Sequence, residues 1–200
     1  MSNFPILILA AGQSRRMQGR DKLMEEVEGQ PLIRRQAEMA LQATGGPVIV
    51  ALPTQPHARY DALDGLDIVR LPVPDANEGM GVSLRTGFAA IPPEAQAAML
   101  LLADLPELTA ADLKTVLEAV DPDSGKLIWH ATTEDSQRGH PVVFHRNLFA
   151  EFAKLSGDVG ARDVVKAAGT KVAHVMLPGN RARLDLDTPE AWAAWRARQT

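Results

Sequence analysis

Seven short apolar runs, separated by stretches with a helical hydrophobic rhythm, constrain this chain more than any other feature. They are "PILILA" (5–10), "PVIVAL" (47–52), "DIVRLPV" (67–73), "AAMLLLA" (97–103), "KLIWHA" (126–131), "PVVFH" (141–145) and "KVAHVML" (171–177). Each is the right length for a strand, and the first reads as buried on both faces. Pro31 opens a helix with Ile33, Ala37, Ala40 and Leu41 on one face. Further helices are expected near 55–64, over 81–91, 147–155 and 160–169, and after two caps. Thr109 caps one, with Asp112 three residues on; Thr188 caps the last, with Pro189 at its first position and Trp192 and Trp195 packing one face. This alternation predicts an α/β fold, a mostly parallel sheet covered by helices on both faces. No repeat, low-complexity tract or linker interrupts it, so residues 1–200 are expected to form one domain.

Composition narrows the function. Apolar residues make up 46% of the chain, enough for a sizeable core, and with one Tyr, three Trp and five Phe that core must be aliphatic. The net charge of −4 argues against a nucleic-acid or anionic-membrane binder. The chain has no Cys, which excludes disulfides, thiolate metal sites and thiol catalysis and fits a cytoplasmic protein. No signal peptide or membrane span is expected, since "MSNFPILILAAG" lacks a basic start and its apolar run is short.

Against that acidic background, "LAAGQSRRMQGRDK" (9–22) concentrates three arginines and a lysine in one glycine-broken loop after the first strand. Ligands in open α/β sheets bind beyond the carboxyl ends of the strands. Gly12 and Gly19 would let the backbone approach a ligand and take positive φ. Ser14, Arg15, Arg16, Arg20 and Lys22 would then face a polyanion, and phosphates suit such an array. The spacing is neither that of a P-loop nor that of a dinucleotide fingerprint. The same residue types would also make a solvated turn. Asp104, just after the apolar run 97–103, is a Mg²⁺ ligand or a turn residue. In "RLDLDTPEAW", Asp185 and Asp187 would alternate on a short strand and share a face, as a further carboxylate for the metal or as cap chemistry. A basic loop and strand-end acids on one sheet edge describe a site for a nucleoside triphosphate with Mg²⁺.

"LAAGQSRRMQGRDKL", "GMGVSLRTG", "LLADLPELT", "RGHPVVF", "SGDVGARDVV" and "LDLDTPEAW" together resemble, in order along nearly the whole chain, the nucleotidyltransferases that mature the molybdenum cofactor. "GHPVVF" and "SGDVGAR" resemble the cytidylyltransferase branch, as does Ala-Ala-Gly where the guanylyltransferase branch commonly has Ala-Gly-Gly. The spacing of "RMQGRDK" resembles the guanylyltransferase branch.

The resemblance implies a three-layer α/β/α Rossmann-like nucleotidyltransferase fold of GT-A type with a mostly parallel mixed sheet. It implies transfer of CMP from CTP to the terminal phosphate of the pterin cofactor, with Mg²⁺ as cofactor, pyrophosphate as product and a molybdoenzyme as downstream partner. Arg16, Lys22 and Asp104 would be catalytic. Leu9, Ala10, Ala11, Gly12, Ser14, Arg15, Gly81, Ser83 and Leu84 would bind the nucleotide. Asp104 and Asp187 would hold the metal, and His140 and Arg162 would face the acceptor. A GTP-using enzyme, transfer to a sugar or alcohol phosphate, and a non-catalytic cofactor carrier on the same fold are the alternatives.

Overall fold

A computed structural model describes residues 2–199. Its strands are β1 (Ile6–Leu9), β2 (Glu26–Val27), β3 (Gln30–Pro31), β4 (Val48–Leu52), β5 (Val69–Pro72), β6 (Ala97–Leu102), β7 (Ile128–Thr132), β8 (Arg138–His145) and β9 (Val172–Met176). Its helices are α1 (Leu32–Ala43), α2 (Ala58–Ala62), α3 (Met80–Ala89), α4 (Ala110–Glu118), α5 (Phe149–Phe152), α6 (Arg162–Ala167) and α7 (Pro189–Arg196). All seven apolar runs enter one sheet, in the order β5-β4-β1-β6-β8-β7-β9, while β2 and β3 form a separate hairpin.

Four strands, β5, β4, β1 and β6, run parallel. β8 is antiparallel to both its neighbours, and β7 pairs β9 in parallel. Connection length explains the reversal. Only residues 133–137 join β7 to β8, and Thr133 N–H donates to the Gln137 carbonyl at 2.9 Å. So short a link closes a hairpin, whereas a parallel pair needs a long crossover.

Alternate strand residues face two separate cores. Ile6, Ile8, Val50 and Met99 pack with α1, α4 and α7; Leu7, Ile49, Leu100 and Phe144 pack with α3, α5 and α6. The result is three layers, α/β/α. The second core is less aliphatic than composition suggests: Phe88 stacks on Phe152 with ring centres 3.5 Å apart, and Phe144 and Phe149 complete the group. Thr109 and Asp112 form a reciprocal capping box at α4, and Thr188 caps α7 through Ala191 N–H with Pro189 in the first turn.

Two expected elements differ. The helix over 147–155 shrinks to a 3₁₀ turn, Arg146–Leu148, and the four-residue α5. Residues 183–187 are not a strand. Asp185 N–H curls back to the Arg183 carbonyl at 2.9 Å, which breaks the extended path. Leu186 N–H instead donates to the Asp104 carbonyl at 3.3 Å, and Trp192 Nε1 donates to the Leu186 carbonyl at 3.2 Å. Leu186 is thereby pinned from both sides, with Asp185 and Asp187 flanking it.

Candidate active site

β1 and β6 are parallel neighbours, with Leu9 beside Leu102. Their carboxyl ends therefore open on the same edge, which places the basic loop next to Asp104.

The loop is built on a buried anchor. Met17 is fully buried in the 3₁₀ turn Arg15–Met17, so the flanking arginines point outward. Ser14, Gln18 and Gly19 adopt left-handed backbone conformations. Gly12 does not, which corrects the expected role of that glycine. A β-carbon at Gly12 would meet nothing within 4 Å, so that position borders open cavity.

Arg59 of α2 holds the loop from beneath. It is only 1% exposed, yet its guanidinium is fully engaged. Nε donates to Asp21 Oδ2 and Nη2 to Oδ1, both at 2.7 Å, while Nη1 donates to the Ala10 carbonyl at 2.5 Å. Asp21 also accepts from Leu23 N–H and from the Ser14 hydroxyl. Burial alone would raise the Asp21 pKa, but Arg59 and these donors outweigh it and hold the carboxyl below its ordinary value. Lys22 N–H donates to Ser14 Oγ at 3.2 Å. Arg59 was not among the expected site residues. A lone arginine in a short polar helix reads as surface, and only its burial reveals the role.

Lys22 Nζ lies 2.5 Å from Asp104 Oδ2 and 2.7 Å from Asp187 Oδ1. Arg16 reaches the other Asp187 oxygen at 2.5 Å from an otherwise exposed position. Desolvation opposes the charge on Lys22, but the two carboxylates outweigh it and raise its pKa. Burial, then a hydrogen bond with Asp187, raises the pKa of Asp185. Burial also works against the Asp187 charge, but Lys22, Asp185 and Arg16 together hold Asp187 below its ordinary value. The four expected groups Arg16, Lys22, Asp104 and Asp187 thus form one connected cluster.

Asp104 Oδ1 is buried and has no hydrogen-bond partner. An unsatisfied buried carboxylate oxygen is costly, and a hard cation would satisfy it. The donor set is all oxygen, and Asp104 and Asp187 already converge within reach of one ammonium group. Among the described residues no group of three or more His, Cys, Asp or Glu forms a metal cage.

Beside the cluster opens a cavity of about 320 Å³. Leu9, Ala10, Ala11, Gly12, Ser14 and Arg15 form one wall, Lys22 and Asp104 contribute to it, and Ser83 faces it from α3. Gly81 stands behind that wall, its N–H bonded to the Gly157 carbonyl at 2.8 Å. Leu84 is fully buried in the Phe88 core rather than lining the cavity, because the helical turn carries it to the sheet side. Arg162 is exposed at the start of α6, away from the cavity lining. His140 lies near Asp104, with Nδ1 buried and unpartnered. Burial lowers its pKa, opposed by the Asp104 charge and by a hydrogen bond to the Leu100 backbone. Asn77, Gly79, Met80 and Asp158 also line the cavity and were not expected there.

Residues 6–174 match the family described as MobA-like NTP transferase domain. A probable molybdenum cofactor guanylyltransferase of Synechococcus elongatus is 34% identical over 196 residues, 96% of this chain and 97% of that protein. The bifunctional protein GlmU of Maricaulis maris is 26% identical over 162 residues, and this chain spans only 34% of its length. The crystal structure of Rv0371c from Mycobacterium tuberculosis H37Rv superposes over 100% of both chains, with a TM-score of 0.80 and 28% identity. A manganese complex of that protein superposes with a TM-score of 0.76 at 27% identity, covering 96% of this chain and 97% of that one.

Proposed function

We propose a reaction for this chain from one premise: it belongs to the MobA-like NTP transferase family and is a nucleotidyltransferase. The proposed reaction is Mg²⁺-dependent transfer of CMP from CTP to the terminal phosphate of the molybdenum pterin cofactor. An acceptor phosphate oxygen attacks the α-phosphorus, a new P–O–P bond forms, the bond to the β-phosphate breaks, and pyrophosphate leaves. The observation that carries it is the convergence of Lys22, Arg16, Asp104 and Asp187 at the mouth of a glycine-walled cavity.

A phosphate monoester has a second pKa of about 6, so the nucleophile is a dianion at neutral pH and needs no general base. The difficulty is bringing anions together, and positioning and electrostatics meet it. Lys22 and Arg16 neutralise the triphosphate and the charge growing on pyrophosphate. Ser14 and the loop backbone fix the phosphates, and Arg59 keeps that loop in shape through Asp21. Asp104 and Asp187 hold the metal, with Asp185 orienting Asp187 through their hydrogen bond. When bound, Mg²⁺ supplies Lewis-acid polarisation of the phosphate oxygens.

Ala11 supports CTP. It stands in Ala-Ala-Gly, the form that resembles the cytidylyltransferase branch, and it borders the cavity with its side chain buried beside Leu7, Ile49 and Val82. GTP is the second reading, favoured by the full-length guanylyltransferase relative. The proposal takes the chain as one catalytic domain acting in the cytoplasm. A panel of CTP, GTP, ATP and UTP with the pterin cofactor, read by pyrophosphate release and product mass, tests it. Preference for CTP is expected. Preference for GTP would overturn the base assignment, and absence of turnover with every nucleotide would favour a carrier.

A further inference from the structure

The segment "SGDVGARDV" was expected on the acceptor side, but its first residues close the α3 wall of the cavity. The Gly157 carbonyl accepts from Gly81 N–H at 2.8 Å, which ties the segment to the first turn of α3. Close approach accounts for the glycines there. A β-carbon on Gly79, whose φ is +128°, would stand 2.5 Å from Asp158 Oδ1 and from the Gly157 carbonyl; one on Gly81 would stand 2.9 Å from Gly157 O. Docking of this kind sets Asp158 at the cavity rim beside Asn77, Met80 and Ser83.

Its carboxylate has no hydrogen-bond or ion-pair partner among the described residues. That is unusual beside an anion site. The loop wall carries Arg15 and Lys22, with Asp104 paired to Lys22, so the cations gather there while Asp158 brings an unpaired carboxylate to the α3 side. Phosphates are drawn to the loop wall and repelled from the α3 side, which leaves the base against α3. An ionised carboxylate only accepts hydrogen bonds. Cytosine and guanine offer an exocyclic amino group to such an acceptor; uracil turns a carbonyl oxygen there instead. We propose that Asp158 is a specificity residue that accepts a hydrogen bond from the exocyclic amino group of the nucleobase and rejects uridine nucleotides. The inference rests on the reading that this cavity holds a nucleoside triphosphate.

The test is calorimetric binding of CTP and UTP, with Mg²⁺, to the full chain and to Asp158→Asn and Asp158→Ser. A charge-assisted hydrogen bond at an exposed rim is expected to give a CTP preference of about 10–100-fold. Both substitutions should collapse that ratio towards unity, and thermal melting of each variant verifies that it is folded. GTP and ITP, which differ by one amino group, form a parallel pair. A wild-type protein that binds GTP above CTP would defeat only the CTP assignment, and loss of the GTP-over-ITP preference in the variants would still support Asp158 as the amino reader. Equal weakening of both members of each pair, or a ratio unchanged in both pairs, would overturn it.

Discussion

Arg59 and Asp21 form a two-pronged ion pair beneath the glycine loop, with Nε on Oδ2 and Nη2 on Oδ1, each at 2.7 Å. Because Arg59 is buried while Asp21 is partly open, the pair links the interior to the surface that meets the phosphates. Removing one partner of a buried pair strands the other. Arg59→Ala is expected to cost about 3 kcal/mol of stability, measured by urea unfolding. Arg59→Lys keeps the charge but loses the fork, and should raise the nucleotide KM more than it lowers kcat. Equal stability of wild type and Arg59→Ala would show that the pair does not brace the loop.

Asp104 is expected to matter for chemistry rather than for folding. Asp104→Asn should lower kcat by about 10²–10³-fold, the range for losing one electrostatic group at a reacting phosphate. Mn²⁺ binding in the presence of nucleotide, followed by electron paramagnetic resonance, should weaken in parallel, while the melting temperature moves little because Lys22 keeps Asp187. Wild-type rates in this variant would refute the metal assignment.

Ala11 tests the base reading directly. Ala11→Gly removes one methyl group packed directly behind the cavity lining, and one methylene of pocket space is worth about 10–200-fold in discrimination. The ratio of kcat/KM for GTP to that for CTP should therefore rise by at least about 10-fold. An unchanged ratio would mean that the base lies elsewhere.

His130 makes the fold sensitive to acid. Burial, first, then the positive charge of His140, Arg138 and His174 around it, push its pKa down to about 4, against a partial opposing hydrogen bond to the Gly139 backbone. Between pH 6.5 and 4 the unfolded chain takes up a proton on this ring that the folded chain refuses. Stability therefore falls as pH drops through that window, by about 3 kcal/mol in full. Urea unfolding at pH 7.5 and pH 4.5 should show the loss, and His130→Gln should reduce it, with His140, whose pKa burial also lowers, carrying part of the remainder.

Thr109 provides a contrast. Its hydroxyl accepts Asp112 N–H, and Asp112 returns a bond to Thr109 N–H. Thr109→Ala should cost about 1 kcal/mol of stability with kcat unchanged. A loss of activity at constant stability would mean that α4 contributes to the site.

The amino-acid sequence by itself determined the seven strand runs, the caps at Thr109 and Thr188, the buried face of α1 and the basic glycine loop. These depend on hydrophobic period and on hydrogen bonds between residues a few positions apart, so they are written locally. Lys22 and Asp104 were also legible as candidates, because each follows an apolar run and both runs were expected in one parallel sheet. Their 2.5 Å contact, across 82 positions, required the strand order that makes β1 and β6 neighbours. Tertiary structure alone decided the rest. A short hairpin reversed β8, the pinning of Leu186 delivered Asp187 without a strand, and the helical turn sent Leu84 into the core. Arg59 acquired its role only by burial against Asp21, and Asp158 reached the cavity only because its loop docks on Gly79 and Gly81 at the start of α3. Each of these follows from contacts between segments distant in the chain, whose energy is set by packing and not by the local residue pattern.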